Sequence, residues 1–117
     1  MTVYLYDSKG AFVAFRTEYD GRYLFNPDGE WIGWFAWSDD DVATRDGTYL
    51  GTLVENRLLW RLAQTHHVDP GYPGAPGFPG HASYPGNAGY FGSVPGFIDV
   101  PRHLLTPRNA YGTPLAS

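Results

Sequence analysis

Between Tyr23 and Trp37 the chain reads YLFNPDGEWIGWFAW, and this stretch restricts the fold more than any other. Two aromatic runs flank Asn26-Pro27-Asp28-Gly29. Asn at the first turn position bonds the backbone two residues on, Pro presets φ at the second, and Gly takes the left-handed position without steric penalty. Such a turn closes a β-hairpin with a one-residue bulge. Tyr4-Leu5-Tyr6-Asp7-Ser8-Lys9-Gly10 has the same form and Val42-Ala43-Thr44-Arg45-Asp46-Gly47 a weaker one, so that Gly10, Gly29 and Gly47 are spaced 19 and 18 residues apart. The strands that follow align in columns: Phe12, Trp31 and Tyr49, then Val13, Ile32 and Leu50, then Ala14, Gly33 and Gly51. A small residue at one fixed place predicts that a neighbouring backbone or ring lies over the missing side chain. A period of this length marks a repeat architecture, in which no unit buries its own apolar face and the units cover one another.

A fourth unit begins and stops. Asn56-Arg57-Leu58-Leu59-Trp60 matches Gly21-Arg22-Tyr23-Leu24-Phe25, but no Asp-Gly turn follows Trp60. Leu58–Thr65 reads as a strand on that match, with a helical turn as the alternative. The second strand of unit four is absent from its expected place, so a later segment fills it, another chain fills it, or an apolar edge stays open. Turn signals at Gly10, Asp20-Gly21, Gly29, Asp39-Asp40, Gly47 and Glu55-Asn56 predict an all-β chain, an antiparallel meander of about four hairpin units with pseudo-symmetry. The units are aromatic on both parities, Tyr23, Phe25, Trp31, Phe35 and Trp37 on one and Leu24, Ile32 and Trp34 on the other. Two apolar faces need two covers.

The repeated aromatic–DxxG–aromatic–(A/G) hairpins over roughly Thr2–Leu62, with a Pro/Gly-rich tail behind them, resemble the four-fold β-flower proteins, a bacterial family. The resemblance implies a compact, pseudo-symmetric β domain. It assigns no catalytic residue to this chain and no role to the tail.

The composition changes at Pro70. Gly recurs at 71, 74, 77, 80, 86, 89 and 92, with Ser83 in the one exceptional slot. Period three with Pro predicts left-handed polyproline II. One face then carries Tyr72, Phe78, Tyr84 and Tyr90, a ring at every sixth residue. Three readings follow: an ordered polyproline-II-like arm lying on a partner, a collagen-like triple helix, or a flexible linker. The first is preferred, because regularly spaced rings suit anchoring better than solvation. Phe97-Ile98-Asp99-Val100-Pro101 is a strand candidate able to complete unit four in its own molecule or in a neighbour. Arg102–Ser117 reads as an irregular arm anchored by Leu104-Leu105. Two regions result, a hairpin-repeat domain over 1–65 and a Pro/Gly-rich arm over 66–117 docked on the domain or on a neighbouring chain. Arm packing and interface are expected at Tyr72, Phe78, Tyr84, Tyr90, Phe91, Phe97, Ile98, Trp34, Trp37 and Trp60.

Few residues point to chemistry. Asp39-Asp40-Asp41 is either a solvated turn that guards an edge or a weak calcium site, since hard cations take several carboxylate oxygens. His66-His67 diverge on any regular element, although Asp69 lies near enough in sequence to complete a metal site with them. His81 and His103 are isolated. No nucleophile–base pair, metal motif or phosphate loop is present, so no enzymatic activity and no cofactor are expected. A net charge of −4 without a basic stripe argues against a nucleic-acid partner. No apolar run approaches the roughly 18 residues of a membrane span. MTVYLYDSKG lacks the basic and apolar regions of a signal peptide. That leaves the compartment unknown: cytoplasmic by default, or exported or virion-assembled without a signal. There is no cysteine and hence no disulfide. The expected function is that of a structural or assembly protein, self-associating through apolar β faces and the Gly-x-Pro arm, in a filament or virion for example. The alternative is a binding module that uses surface Trp and Tyr for glycans or proline-rich peptides.

Overall fold

The computed structural model describes residues 2–37, 39–63, 67–80 and 83–106. His66, His81, the end of the segment 58–65 and the stretch 107–117 lie outside the described residues. Eight strands follow in chain order: β1 (Val3–Tyr6), β2 (Phe12–Arg16), β3 (Tyr23–Phe25), β4 (Trp31–Trp34), β5 (Asp41–Thr44), β6 (Tyr49–Val54), β7 (Arg57–Arg61) and β8 (Phe97–Asp99). A 3₁₀ turn at Arg102–Leu105 completes the order. Consecutive strands pair antiparallel throughout.

The first three hairpins are built alike. Asp7, Asn26 and Thr44 hold the first turn position, and each carbonyl accepts from the glycine three residues on, at 3.1, 2.9 and 3.0 Å. Asp7 Oδ1 also accepts from the N–H groups of Lys9 and Ala11, and Asn26 Oδ1 from those of Asp28 and Glu30. Thr44 Oγ1 does the same for Thr48 N–H. Gly10, Gly29 and Gly47 sit at φ 91°, 83° and 91°, where a side chain would be strained. A register shift follows at the same place in each unit, at Leu5/Tyr6, Leu24/Phe25 and Val42/Ala43.

Each hairpin sets a large interior residue opposite a small one: Leu5 against Ala14, Leu24 against Gly33, Val42 against Gly51. The small partner lets the next strand come close. A Cβ on Gly33 would stand 2.4 Å from the carbonyl oxygen of Ala43, and one on Gly51 would stand 2.9 Å from that of Leu59. Leu5, Leu24, Ile32, Val42, Leu50 and Leu58 fill the interior, and Val100 and Leu104 join them from the chain's later part.

Two findings complete the expected antiparallel meander. The sheet curls into a closed barrel: β1 meets β7 in parallel at Tyr6 and Arg57, and Tyr6 N–H donates to Asn56 O at 2.9 Å. Seven strands alternating in direction start and finish pointing the same way, so closure between the first and the seventh has to be parallel. Unit four, secondly, is completed within the chain. β8 pairs with β7 through Leu59–Asp99, Trp60–Ile98 and Arg61–Phe97. Asp99 reaches the β1 side by accepting from Ser8 N–H at 2.8 Å and Ser8 Oγ–H at 3.1 Å. The later part of the chain therefore contributes a strand and core side chains to the barrel.

The overlap at the small column yields a test. Gly33→Ala places a methyl group against a fixed backbone carbonyl and is expected to destabilise by about 1–3 kcal/mol. At Gly77 an added methyl group would meet nothing within 4 Å, so Gly77→Ala should cause no comparable loss. Urea unfolding of both variants checks the contrast, and equal midpoints would refute the close-approach account.

Candidate functional site

Unit four has the same hairpin plan as the others, with the segment 62–96 in place of its turn. The segment is closed at its base by Leu62 N–H donating to Gly96 O at 2.9 Å. Its described residues form a strap along the turn end of the barrel and visit the three hairpin turns in reverse order. Pro70 lies 3.3 Å from the Cβ position of Gly47, Gly80 O lies 2.5 Å from that of Gly29, and Ala88 O lies 2.0 Å from that of Gly10. Ala88 N–H donates to Gly10 O at 2.8 Å and Phe91 N–H to Ser8 O at 2.9 Å. The turn glycines thus serve twice, once for their φ and once because the strap needs the space.

Along the strap Gly74, Gly80, Gly86 and Gly92 have φ of 87°, 85°, 83° and 90°. A continuous polyproline II helix, with φ near −75° at every residue, is interrupted at these four glycines and also at Gly71 and Gly96. This excludes the collagen-like reading and lets the strap bend around a rim that a straight helix would leave.

Under the strap lies an aromatic belt on the outer surface of the sheet: Phe15, Phe25 and Trp31, with Tyr4, Phe12 and Tyr23 against them. Phe15 stacks on Phe25 at 5.5 Å, and Tyr23 meets Trp31 edge-on at 5.7 Å. The strap adds Tyr72 to Trp31 at 5.7 Å and Tyr84 to Phe12 at 6.4 Å. Polar tips of the belt hold strap carbonyls: Tyr23 Oη–H donates to Gly74 O at 3.0 Å, and Trp37 Nε1–H donates to Val68 O at 3.0 Å. Apolar ring bodies with donors at their tips suit a Pro/Gly-rich segment, which offers carbonyls and few N–H groups.

The ten residues singled out from sequence divide. Tyr72, Phe78, Tyr84 and Tyr90 run along the strap and stay 62–76% exposed. Phe91 lies half-buried, with the Arg57 guanidinium 4.9 Å from its ring centre, and Phe97 has Arg61 at 5.6 Å. Ile98 is exposed. Trp34 is buried beside Arg22. Trp60 is half-buried near Tyr49, and Trp37 stacks on His67 at 3.9 Å.

Where the strap leaves β7, Asp41 gathers a polar cluster that no motif announced. Its carboxylate accepts from Arg61 NH1 and NH2 at 3.0 and 3.1 Å and from Thr52 Oγ1–H at 2.7 Å. His67 Nε2 stands 2.8 Å from Oδ2. Tyr49 Oη joins Thr52 at 2.5 Å and accepts from Arg61 N–H at 3.0 Å. Burial raises the carboxyl's pKa, but the hydrogen bonds from Arg61, Thr52 and His67 outweigh it, and the net shift is downward. The Arg61 guanidinium is held charged by the same contact. Asp41 thereby clamps Arg61, the last residue of β7, and His67 of the strap to one point.

Asp39, Asp41 and His67 present ligand atoms within 4.8 Å of one another, yet a cation there would share Asp41 with a bidentate guanidinium. Calcium would also meet a ring nitrogen where it favours oxygen. The acidic triplet is therefore better read as one buried anchor, Asp41, beside two exposed turn residues, Asp39 and Asp40. Asp69, considered as a ligand beside His66-His67, accepts from Gly71 N–H at 3.0 Å. A cavity of about 510 Å³ opens between the first two turns and the 3₁₀ turn, lined by Asp7, Asn26, Asp28, Leu58, Asp99 and Arg102 among others. Asp7, Asn26 and Asp99 already use side-chain oxygens to close turns or to hold Ser8.

Searches against protein-family models, curated proteins and solved structures found no match. Among the described residues no helix is long and apolar enough to cross a membrane.

The Asp41 clamp makes a pH-dependent contribution. Its folded pKa lies below the ordinary 3.8, so the stabilisation is complete above the unfolded value and is lost as pH falls through the folded one. Asp41→Asn is expected to remove about 2 kcal/mol at neutral pH. It should also flatten the decline of the urea midpoint between about pH 5 and pH 2. A variant with an unchanged acid limb would rule the clamp out.

Proposed function

We propose that this chain is a non-enzymatic structural protein that self-associates, and that its contact surface is the row of rings on the strap rather than the apolar faces of the sheet. The observation that carries the proposal is exposure. Tyr72, Phe78, Tyr84 and Tyr90 are 62%, 70%, 68% and 76% exposed, while the belt beneath is covered and unit four is completed by the chain's own β8. Large apolar side chains gathered on an exposed segment mark a contact site, and rings are the residues that anchor interfaces. Between Asp69 and Asp99 the sequence contains no Asp, Glu, Lys or Arg, so two such rows meet without charge repulsion. Head-to-tail contact through this row would build a filament, of the kind a virion component makes, and two-fold contact a dimer.

A second reading draws on the same rings. Tyr72, Tyr84 and Tyr90 combine a flat face with a hydroxyl, which suits stacking on sugars as well as on a sister copy.

Light scattering across the micromolar range tests the proposal on the wild type and on a variant with Tyr72, Phe78, Tyr84 and Tyr90 all changed to Ser. The wild type is expected to gain mass with concentration and the variant to remain monomeric. A wild type that stays a monodisperse monomer overturns self-association. If that monomer binds oligosaccharides and the Ser variant does not, the second reading takes its place.

A further inference from the structure

We propose that Tyr72, Tyr84 and Tyr90 are sites of oxidative tyrosine coupling, which joins the straps of associated copies by carbon–carbon bonds between their rings. The inference rests on the self-association proposed above and adds a chemical step that makes it permanent.

Three observations carry it. The strap tyrosines are open to reaction. Tyr72, Tyr84 and Tyr90 are 62%, 68% and 76% exposed, whereas Tyr4, Tyr6, Tyr23 and Tyr49 are half-buried. The four tryptophans, the other readily oxidised rings, are buried or half-buried. The hydroxyls differ in the same sense. Tyr23 Oη–H donates to Gly74 O, and Tyr49 Oη is held by Thr52 and by Arg61 N–H. Among the described residues, Tyr84 is the one strap tyrosine with a bonded hydroxyl, and its partner is Asn87 Oδ1, exposed on the strap itself. A phenol releases its proton as it gives up an electron, and an open hydroxyl permits that. Other covalent links, finally, are scarce. The chain has no cysteine, and Lys9 is its single lysine. Disulfides are therefore excluded, and amide links through lysine have one point of attachment. Three phenols on one exposed segment allow a copy to be joined to more than one neighbour.

The step consumes one hydrogen peroxide, used through a haem peroxidase, for each pair of rings. Each phenol gives up one electron and its hydroxyl proton. The two phenoxyl radicals join at the carbons ortho to oxygen. The hydrogens on those carbons move to the oxygens, and both phenols are restored. The peroxide takes up the two electrons and two protons, its O–O bond breaks, and two waters form. Radicals that meet by diffusion couple wherever rings are exposed. Contact between straps sets the local concentration of partner rings at the order of millimolar, so the links gather on the strap.

The test treats the wild type, across the concentration range of the light-scattering measurement, with hydrogen peroxide and a haem peroxidase. Covalent dimers are read on denaturing gels, and the linked peptides are mapped by mass spectrometry. Tyr19, between β2 and β3, is 84% exposed and serves as internal control, being more open than any strap tyrosine yet off the strap. Links are expected to join positions 72, 84 and 90, with Tyr19 a minor site. A variant carrying Tyr72→Phe, Tyr84→Phe and Tyr90→Phe retains the ring faces. It is expected to keep its associated mass and lose the covalent dimer. Links through tyrosines off the strap as abundant as those on it overturn the coupling proposal and leave self-association standing. An undiminished dimer yield from the triple variant does the same. A wild type that stays monomeric at every concentration overturns both.

Discussion

The pairing of Leu59–Arg61 with Phe97–Asp99 is the join on which the rest of the molecule depends. Without it, Leu59, Trp60 and Arg61 of β7 would lack their partners on that edge, and β1 would meet β7 only at Tyr6 and Arg57. A core of the first sixty-odd residues alone buries only about 60% of its unfolded surface and is marginal. Once β8 is in place, Asp99 ties Ser8 to the far side of the seam, and Val100 and Leu104 are carried into the interior. The same join turns what would have been a free tail into a strap held at both ends. Core completion and the course of the Pro/Gly segment are thus set by the same pairing.

The strap and the hairpin turns fit each other through the same residue type. A hairpin turn of this kind needs glycine for its positive φ, and a glycine leaves the outer surface of the turn bare. The strap carbonyls occupy that bare surface at Gly29 and Gly10. On the strap's side, glycines at positive φ bend the backbone every sixth residue, which keeps it on a curved rim while bringing Tyr72 and Tyr84 against the belt. The other end of the relationship is electrostatic. Asp41 is buried, and a buried carboxylate is tolerated only when its charge is compensated. Arg61 from the sheet and His67 from the strap provide the partners, so the cost of burying one charge fastens two segments.

Much of this was legible beforehand, and for identifiable reasons. Turn chemistry is local, so Asn26-Pro27-Asp28-Gly29 and its relatives gave the hairpins, the bulge and their repeat. The small column was legible because a missing side chain in a strand has few explanations, and Gly33 and Gly51 both lie against the next strand's carbonyl. The shortage in unit four, and Phe97-Ile98-Asp99 as its remedy, followed from counting strands. The clamp was not legible. Asp41, Thr52, Arg61 and His67 come from three strands and the strap at no fixed spacing, and Asp41 was disguised as one of three turn aspartates.

The sequence by itself determined the local geometry: where the chain turns, which residues must be small, which residues carry exposed rings at every sixth position, and that one unit lacked a strand. Those properties depend on a few adjacent residues and on the φ values each can adopt. Only the tertiary structure decided that the sheet closes, that the closing contact is parallel, and that the Pro/Gly segment is a strap rather than a tail or a triple helix. Closure depends on how far the twist of seven strands carries β1 round to β7, and the course of the strap depends on the rim it meets. Both are set by contacts between residues far apart in the chain, which no short stretch of sequence contains.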